Sequence, residues 1–150
     1  MGLKEKLQAD LTEAIRGRDE VKSGTIRMLL SGITNEEVAG KAAKVLTDAE
    51  IITVLSRETK KRREAVEAFT AAKRDDLADK EKAEGVIIAQ YLPEQLSEAE
   101  IKKMIADAIT ETNAAGSAGM GLVMKVLQPK IVGKADGGVV SALVKAALGQ

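Results

Sequence analysis

The chain has 150 residues, enough for one domain or two small ones. Of these, 45% are hydrophobic but only Phe69 and Tyr91 are aromatic, an aliphatic, Ala-, Lys- and Glu-rich balance that favours packed helices over sheets. The 23 basic and 23 acidic residues cancel, so any nucleic-acid contact must come from a local patch, and the lack of cysteine and histidine excludes disulfides, zinc fingers, thiol nucleophiles and histidine-based triads.

The opening Met-Gly-Leu-Lys-Glu-Lys is charged and amphipathic and does not read as a signal peptide. The absence of cysteine fits the cytosol and no apolar run reaches membrane-spanning length, so the expectation is a cytoplasmic protein without membrane contact. Leu3, Leu7, Leu11 and Ile15 recur every four residues and predict a first helix over 2–17 with one apolar stripe. Arg18-Asp19-Glu20 reads as a turn. Ile26, Leu29, Leu30 and Ile33 mark one face of a second helix that fades by Gly40, and 40–46 reads as a loop. Thr47 and Glu50 have capping-box spacing. They open a long third helix to about Ala72, with Ile51, Leu55, Val66 and Phe69 on one side. Asp75 or Asp76 starts a fourth helix that runs through Leu77, Val86, Ile87 and Ile88 to Tyr91, and Pro93 stops it. Tyr91–Leu96 reads as a hinge. Ser97 and Glu100 repeat the capping-box spacing before a fifth helix with Ile101, Met104, Ile105 and Ile109, ending near Asn113. A short helix over 117–127 follows, Pro129 breaks the chain, and a last helix runs over 135–148. The expected fold is all-α: a four-helix domain over 1–92 containing one long helix, joined by a hinge to a three-helix domain over 93–150. A domain as small as the second is marginal alone.

Three constellations could carry chemistry. Arg57, Glu58, Lys60, Lys61, Arg62 and Arg63 set five basic residues against one acidic, either a phosphate-binding strip or a solvated face with helical ion pairs. The charges spread around the helix, and Glu64 and Glu67 offset them, so the solvated face is the favoured reading. Arg62 alone falls inside the apolar stripe. A buried guanidinium needs a partner, and the candidates are Glu58, one turn earlier, and Glu37 on the stripe of the second helix. Such a pair would fix helix register; a substrate-anchoring arginine is the alternative.

The third constellation is the stretch after Pro129. Between 117 and 150, Lys125, Lys130, Lys134 and Lys145 face Asp136 alone, a net +3. With Asp136 as N-cap, the amides of Gly137 and Gly138 lie in the first turn with no bulky side chain over them. In one reading a phosphate sits there, with Lys130 and Lys134 supplying charge. In the other, Asp136 already satisfies those amides and repels phosphate, and the glycines serve packing. Both stay open. Gly116, Gly119 and Gly121 follow no strand and lack the P-loop Lys-Ser/Thr pair, so they read as sites of close helix approach. Met120 and Met124 read as core. No carboxylate pair, activated hydroxyl or desolvated lysine marks an active site, and nothing calls for a metal or cofactor. The sequence argues against an enzyme acting alone.

Ile26-Arg27-Met28-Leu29, Asn35-Glu36-Glu37, Lys61-Arg62-Arg63-Glu64-Ala65 and Tyr91–Ser97 occur in order in the first half. Met120-Gly121, Val123-Met124-Lys125, Gly133–Gly137, Val140-Ser141 and Leu143-Val144 follow in the second. Together, over essentially the full length, they resemble the YqeY-like (GatB/YqeY) family. The resemblance implies an all-helical, two-part protein. Its second half looks like the tail domain of the GatB component of the aspartyl/glutamyl-tRNA amidotransferase, which helps hold the tRNA body. By that analogy Lys125, Lys130, Lys134 and the Gly133–Gly137 turn become candidate tRNA contacts. The family label of carbon–nitrogen ligase with glutamine as amide donor reaches past this chain, which has no residues for that chemistry.

The expectation is therefore a tRNA-binding or tRNA-amidotransferase-associated accessory protein without its own catalytic centre. Its partner would be tRNA, bound weakly and by shape, or a tRNA-charging or amidating enzyme; no DNA contact is expected. The alternatives are a helical protein–protein adaptor, or a component contributing to glutamine-dependent ligase activity.

Overall fold

The computed structural model describes residues 2–149. Among them are seven α-helices and one 3₁₀ turn, with no strand, which is the all-α fold expected. Contacts divide the chain at Leu92 and Pro93 into two compact units.

The first unit contains α1 (Leu3–Arg16), α2 (Glu20–Glu37), α3 (Asp48–Ala71) and α4 (Asp75–Ala89). Local chemistry sets their starts. Asp19 caps α2 by accepting the Lys22 N–H at 3.0 Å. Thr47 and Glu50 form the full capping box of α3, with the Glu50 N–H on Thr47 Oγ1 at 3.2 Å and the Thr47 N–H on the Glu50 carboxylate at 2.8 Å. Leu7 of α1, Ile26, Leu29 and Ile33 of α2, Ile51, Val54 and Leu55 of α3 and Ile88 of α4 meet in one buried core, closed by Leu46 and Tyr91. The α1 stripe does not hold to its end: Ile15 is 49% exposed and Ala14 is buried instead. A four-residue repeat overruns the 3.6-residue turn, so Ile15 is rotated about 80° from Leu7 and Ala14 only about 20°. Helix α3 likewise outruns the core. At 24 residues it is about 36 Å long. Val66 and Phe69, far along it, are half-buried and lie outside the buried cluster.

The second unit contains α5 (Glu98–Thr112), the 3₁₀ turn Ser117–Gly119, α6 (Met120–Ile131) and α7 (Gly137–Ala147). Ser97 caps α5 by accepting the Glu100 N–H at 3.2 Å, and Asn113 ends it in the left-handed conformation. Ile101, Ile105 and Ala108 of α5, Val123, Leu127 and Ile131 of α6, and Val140 and Val144 of α7 form its core. Gly119 makes the 3₁₀–α6 junction possible, because a Cβ there would stand 2.8 Å from the Ala114 Cβ. Gly121 has no such constraint, since nothing lies within 4 Å of its Cβ position.

The expected break at Pro129 is corrected: Pro129 lies inside α6, which runs to Ile131. Proline removes the N–H that would bond the Lys125 carbonyl, a loss on the order of 3 kcal/mol in a helix interior. Here only two residues follow it, and Lys125 is exposed, so water can take the freed carbonyl. Ile131, 2% exposed, continues the four-residue spacing of Val123 and Leu127 into the core and holds the last turn helical.

Candidate functional site

The stretch 131–139 is built as a clamped turn. The N–H groups of Lys134 and Ala135 both donate to the Ile131 carbonyl, at 2.8 and 3.1 Å. Gly133 is buried with φ +75, a conformation that only glycine adopts without strain, and it reverses the chain there. Two residues after Pro93 then fasten the turn: Gln95 Nε2 donates to the Gly133 carbonyl at 2.8 Å, and the Leu96 N–H to the Lys134 carbonyl at 2.9 Å. Gln95 and Leu96, read from sequence as part of a hinge, are therefore structural partners of the turn.

Asp136 then starts α7. Its Oδ1 accepts the N–H groups of Gly138 at 2.8 Å and Val139 at 3.1 Å. Of the first-turn amides, those of Gly138 and Val139 thus belong to Asp136. The glycines are nonetheless not packing devices. Gly137 and Gly138 are exposed, nothing approaches a Cβ placed at Gly137, and the nearest atom to one at Gly138 is Asp136 Oδ1 itself. An anion in this region must be drawn by side-chain ammonium groups.

Lys125, Lys130, Lys134 and Lys145 are all exposed, and none is in an ion pair among the described residues. Lys130, in the last turn of α6, and Lys134 flank the clamped turn. Lys125 lies about 140° around α6 from Lys130, and Lys145 is about 12 Å along α7 from its start. The backbone thus groups Lys130 and Lys134 with Gly133, Asp136 and Gly137, and sets Lys125 and Lys145 apart.

In the first unit several charges are held in ion pairs. Arg62, with only 12% of its side chain exposed, bonds Glu58 at 2.9 Å and Glu84 at 3.3 Å, with Glu81 at 3.7 Å and Met28 Sδ against its guanidinium. Glu37 does not join this group. It takes Lys4 at 2.7 Å and accepts the Leu46 N–H at 3.2 Å. The Lys4 bond, and then the Leu46 amide, hold its carboxyl below the usual carboxylate range. Of the rest of the basic run, Arg57 meets Glu36 at 3.4 Å and Lys61 meets Glu58 at 3.1 Å, while Lys60 is exposed.

Sequence reasoning missed Glu81 and Glu84, Lys4, and the bond from the Tyr91 hydroxyl to Asp10 at 2.6 Å with Lys6 over the ring. Glu81 and Glu84 gave a signal, since a three-residue spacing puts both on one face of α4. The other contacts depend on how α1 packs, which no local pattern encodes. No group of three His, Cys, Asp or Glu residues that could hold a metal occurs among the described residues.

The family model described as Yqey-like protein matches residues 4–148. The chain is 36% identical over 92 residues to an uncharacterized protein of Schizosaccharomyces pombe, covering 61% of this chain and 72% of the relative. It is 36% identical over 88 residues to altered inheritance of mitochondria protein 41, mitochondrial, of Candida glabrata, covering 59% of this chain and 48% of that protein. To the protein of the same name in Pyrenophora tritici-repentis it is 32% identical over 133 residues, covering 87% of this chain and 71% of the relative. The matches thus span between about half and about seven-tenths of the relatives' own lengths. These names overturn the cytoplasmic expectation, since the relatives are named as mitochondrial proteins. The physical reason is plain: neither a lack of cysteine nor a charged, amphipathic start fixes a compartment.

Proposed function

The chain belongs to the YqeY-like protein family, and from that premise we propose that it is a tRNA-binding or tRNA-amidotransferase-associated accessory protein without a catalytic centre of its own. It engages the ribose–phosphate backbone through lysines of the second unit. The observation that carries this reading is the lysine excess of residues 117–150, whose one carboxylate, Asp136, is taken up as a helix cap. In the first unit basic and acidic residues balance; carboxylates at Glu36, Glu37, Glu50 and Glu58 hold several of its cations, while others such as Lys60, Lys80 and Lys82 are exposed outside any ion pair among the described residues. Lys125, Lys130, Lys134 and Lys145 are exposed with no such partner among the described residues. An unpaired ammonium group releases phosphate counterions on binding without first breaking an internal ion pair. Lys130 and Lys134, beside the clamped turn, are the central contacts. With so few aromatics, recognition is of RNA shape rather than of stacked bases.

The test is titration of bulk tRNA at low and moderate salt. Lys130→Ala and Lys134→Ala are expected to weaken binding, whereas Lys82→Ala, an exposed lysine of α4, leaves it unchanged. Lys4 is unsuitable as the control because of its bond to Glu37. Asp136→Asn removes a negative charge next to the lysines while keeping a capping oxygen, and is expected to tighten binding. No binding at low salt, or equal losses from Lys130→Ala and Lys82→Ala, would sink the proposal.

A further inference from the structure

The turn that carries Lys134 is fastened from outside itself, by a strap of residues 93–96 held at both ends. At one end the ring of Pro93 fixes its φ. At the other, Leu96 packs against the second core and Ser97 caps α5 by accepting the Glu100 N–H. Between them, both N–H donors of the Gln95 side-chain amide are in use. Its Nε2 donates to the Pro93 carbonyl at 2.7 Å and to the Gly133 carbonyl at 2.8 Å. The reverse orientation would set the amide oxygen against two carbonyl oxygens, so the bonding pattern fixes which way this amide points. Gln95 is nonetheless exposed. What holds it still, against the rotamer freedom of a long side chain, is this pair of bonds rather than packing.

The consequence falls on Lys134. Two peptide units flank its Cα, and all four of their polar groups are bonded. The N–H groups of Lys134 and Ala135 go to the Ile131 carbonyl at 2.8 and 3.1 Å. The Gly133 carbonyl accepts from Gln95 and the Lys134 carbonyl from the Leu96 N–H at 2.9 Å, so the strap supplies half of the set. A lysine stem is flexible, so the part of its aim that a fold can set is the backbone from which it springs. We propose that Gln95 is a positioning residue for Lys134, and that closure of the strap and phosphate binding at the lysine turn form one coupled equilibrium. This rests on the RNA reading given above and adds a regulation to the same site. So few surface hydrogen bonds leave the open strap a measurable minority. If closure raises the affinity of the turn for RNA, bound RNA favours closure by the same factor. The segment that joins the two units thus registers whether RNA is bound.

The test has two arms, both on the full chain. Hydrogen exchange at the Leu96 and Lys134 amides without RNA reads the strap itself. Gln95→Met keeps length and charge but has no donor, and should speed both amides by about threefold to tenfold with an unchanged helical circular dichroism spectrum. Added bulk tRNA should slow both amides in the wild type. Titration of tRNA then reads the consequence in a double-mutant cycle. Gln95→Met should weaken binding by about threefold, and should cost nothing further once Lys134 is replaced by alanine. Combined with Lys125→Ala, which the backbone sets apart, its effect should add in full. A residue that merely kept the unit folded would weaken binding by the same factor in either background. Unchanged exchange in Gln95→Met overturns the strap. Full additivity with Lys134→Ala overturns the positioning role and leaves the RNA reading standing. A wild type that binds no tRNA at low salt ends both, and faster exchange in Gln95→Met then marks a strap that is structural only.

Discussion

Arg62 shows how much a single side chain can fix. Three carboxylates from two helices converge on it, so it joins α3 to α4 while Met28 brings in α2. Arg62→Ala would leave Glu58, Glu81 and Glu84 facing one another with little solvent to screen them. The expected loss is about 2–4 kcal/mol in urea unfolding, whereas Arg62→Met, which fills much of the same volume, also leaves Glu81 and Glu84 without their cation and should rescue only the packing part. If Arg62→Ala costs no more than a surface substitution, the cluster is not a structural joint. Tyr91 offers a cleaner titration. Burial, and next the bond to Asp10, push its hydroxyl up, well above the ordinary tyrosine value. The protonated form is the bonded one, so this contribution to stability is complete below a pH of about 10, where an unfolded tyrosine ionises, and is lost as pH rises through the folded value. Since the chain has no other tyrosine and no tryptophan, the phenolate absorbance band reports this group alone. The expected result is little phenolate in the folded protein at a pH where it is half-formed in urea; coincident curves would contradict it.

At the level of helices, the legible parts were those set by neighbours along the chain. The Thr47 capping box, the Asp136 cap and the starts of α3, α5 and α7 all rest on residues within three positions of each other, and they stand where the spacing put them. The end of α6 was not legible, because the pull on Ile131 comes from α5 and α7 rather than from its own helix. The glycines divide in the same way. Their composition suggested close helix approach, but only the packed structure distinguishes Gly119, with Ala114 backbone at 3.1 Å from a Cβ, from Gly121, with nothing within 4 Å. Opposite effects follow. Gly119→Ala should cost about 1–3 kcal/mol through overpacking, and Gly121→Ala should stabilise by up to about 1 kcal/mol through lower backbone entropy in the unfolded chain. Thermal melts of the two variants check this, and shifts of the same sign would remove the distinction.

For the molecule as a whole, the formal charge of zero means that long-range attraction to a polyanion is small and binding must be short-ranged. Two to four lysine–phosphate contacts predict a log–log dependence of tRNA affinity on salt with a slope of roughly −2 to −4. A much steeper slope would require cations of the first unit to take part as well. Which cations are available was only half visible in the sequence. Counting charges revealed the lysine excess after residue 117, but which cations are already occupied depends on helix packing, as Lys4 with Glu37 shows. The lone tyrosine has one more implication. Tyr91 belongs to the buried cluster of the first unit, and the second cluster contains no aromatic ring. The residues proposed to meet RNA thus carry no fluorophore of their own, and their melting must be followed by another probe such as helical circular dichroism.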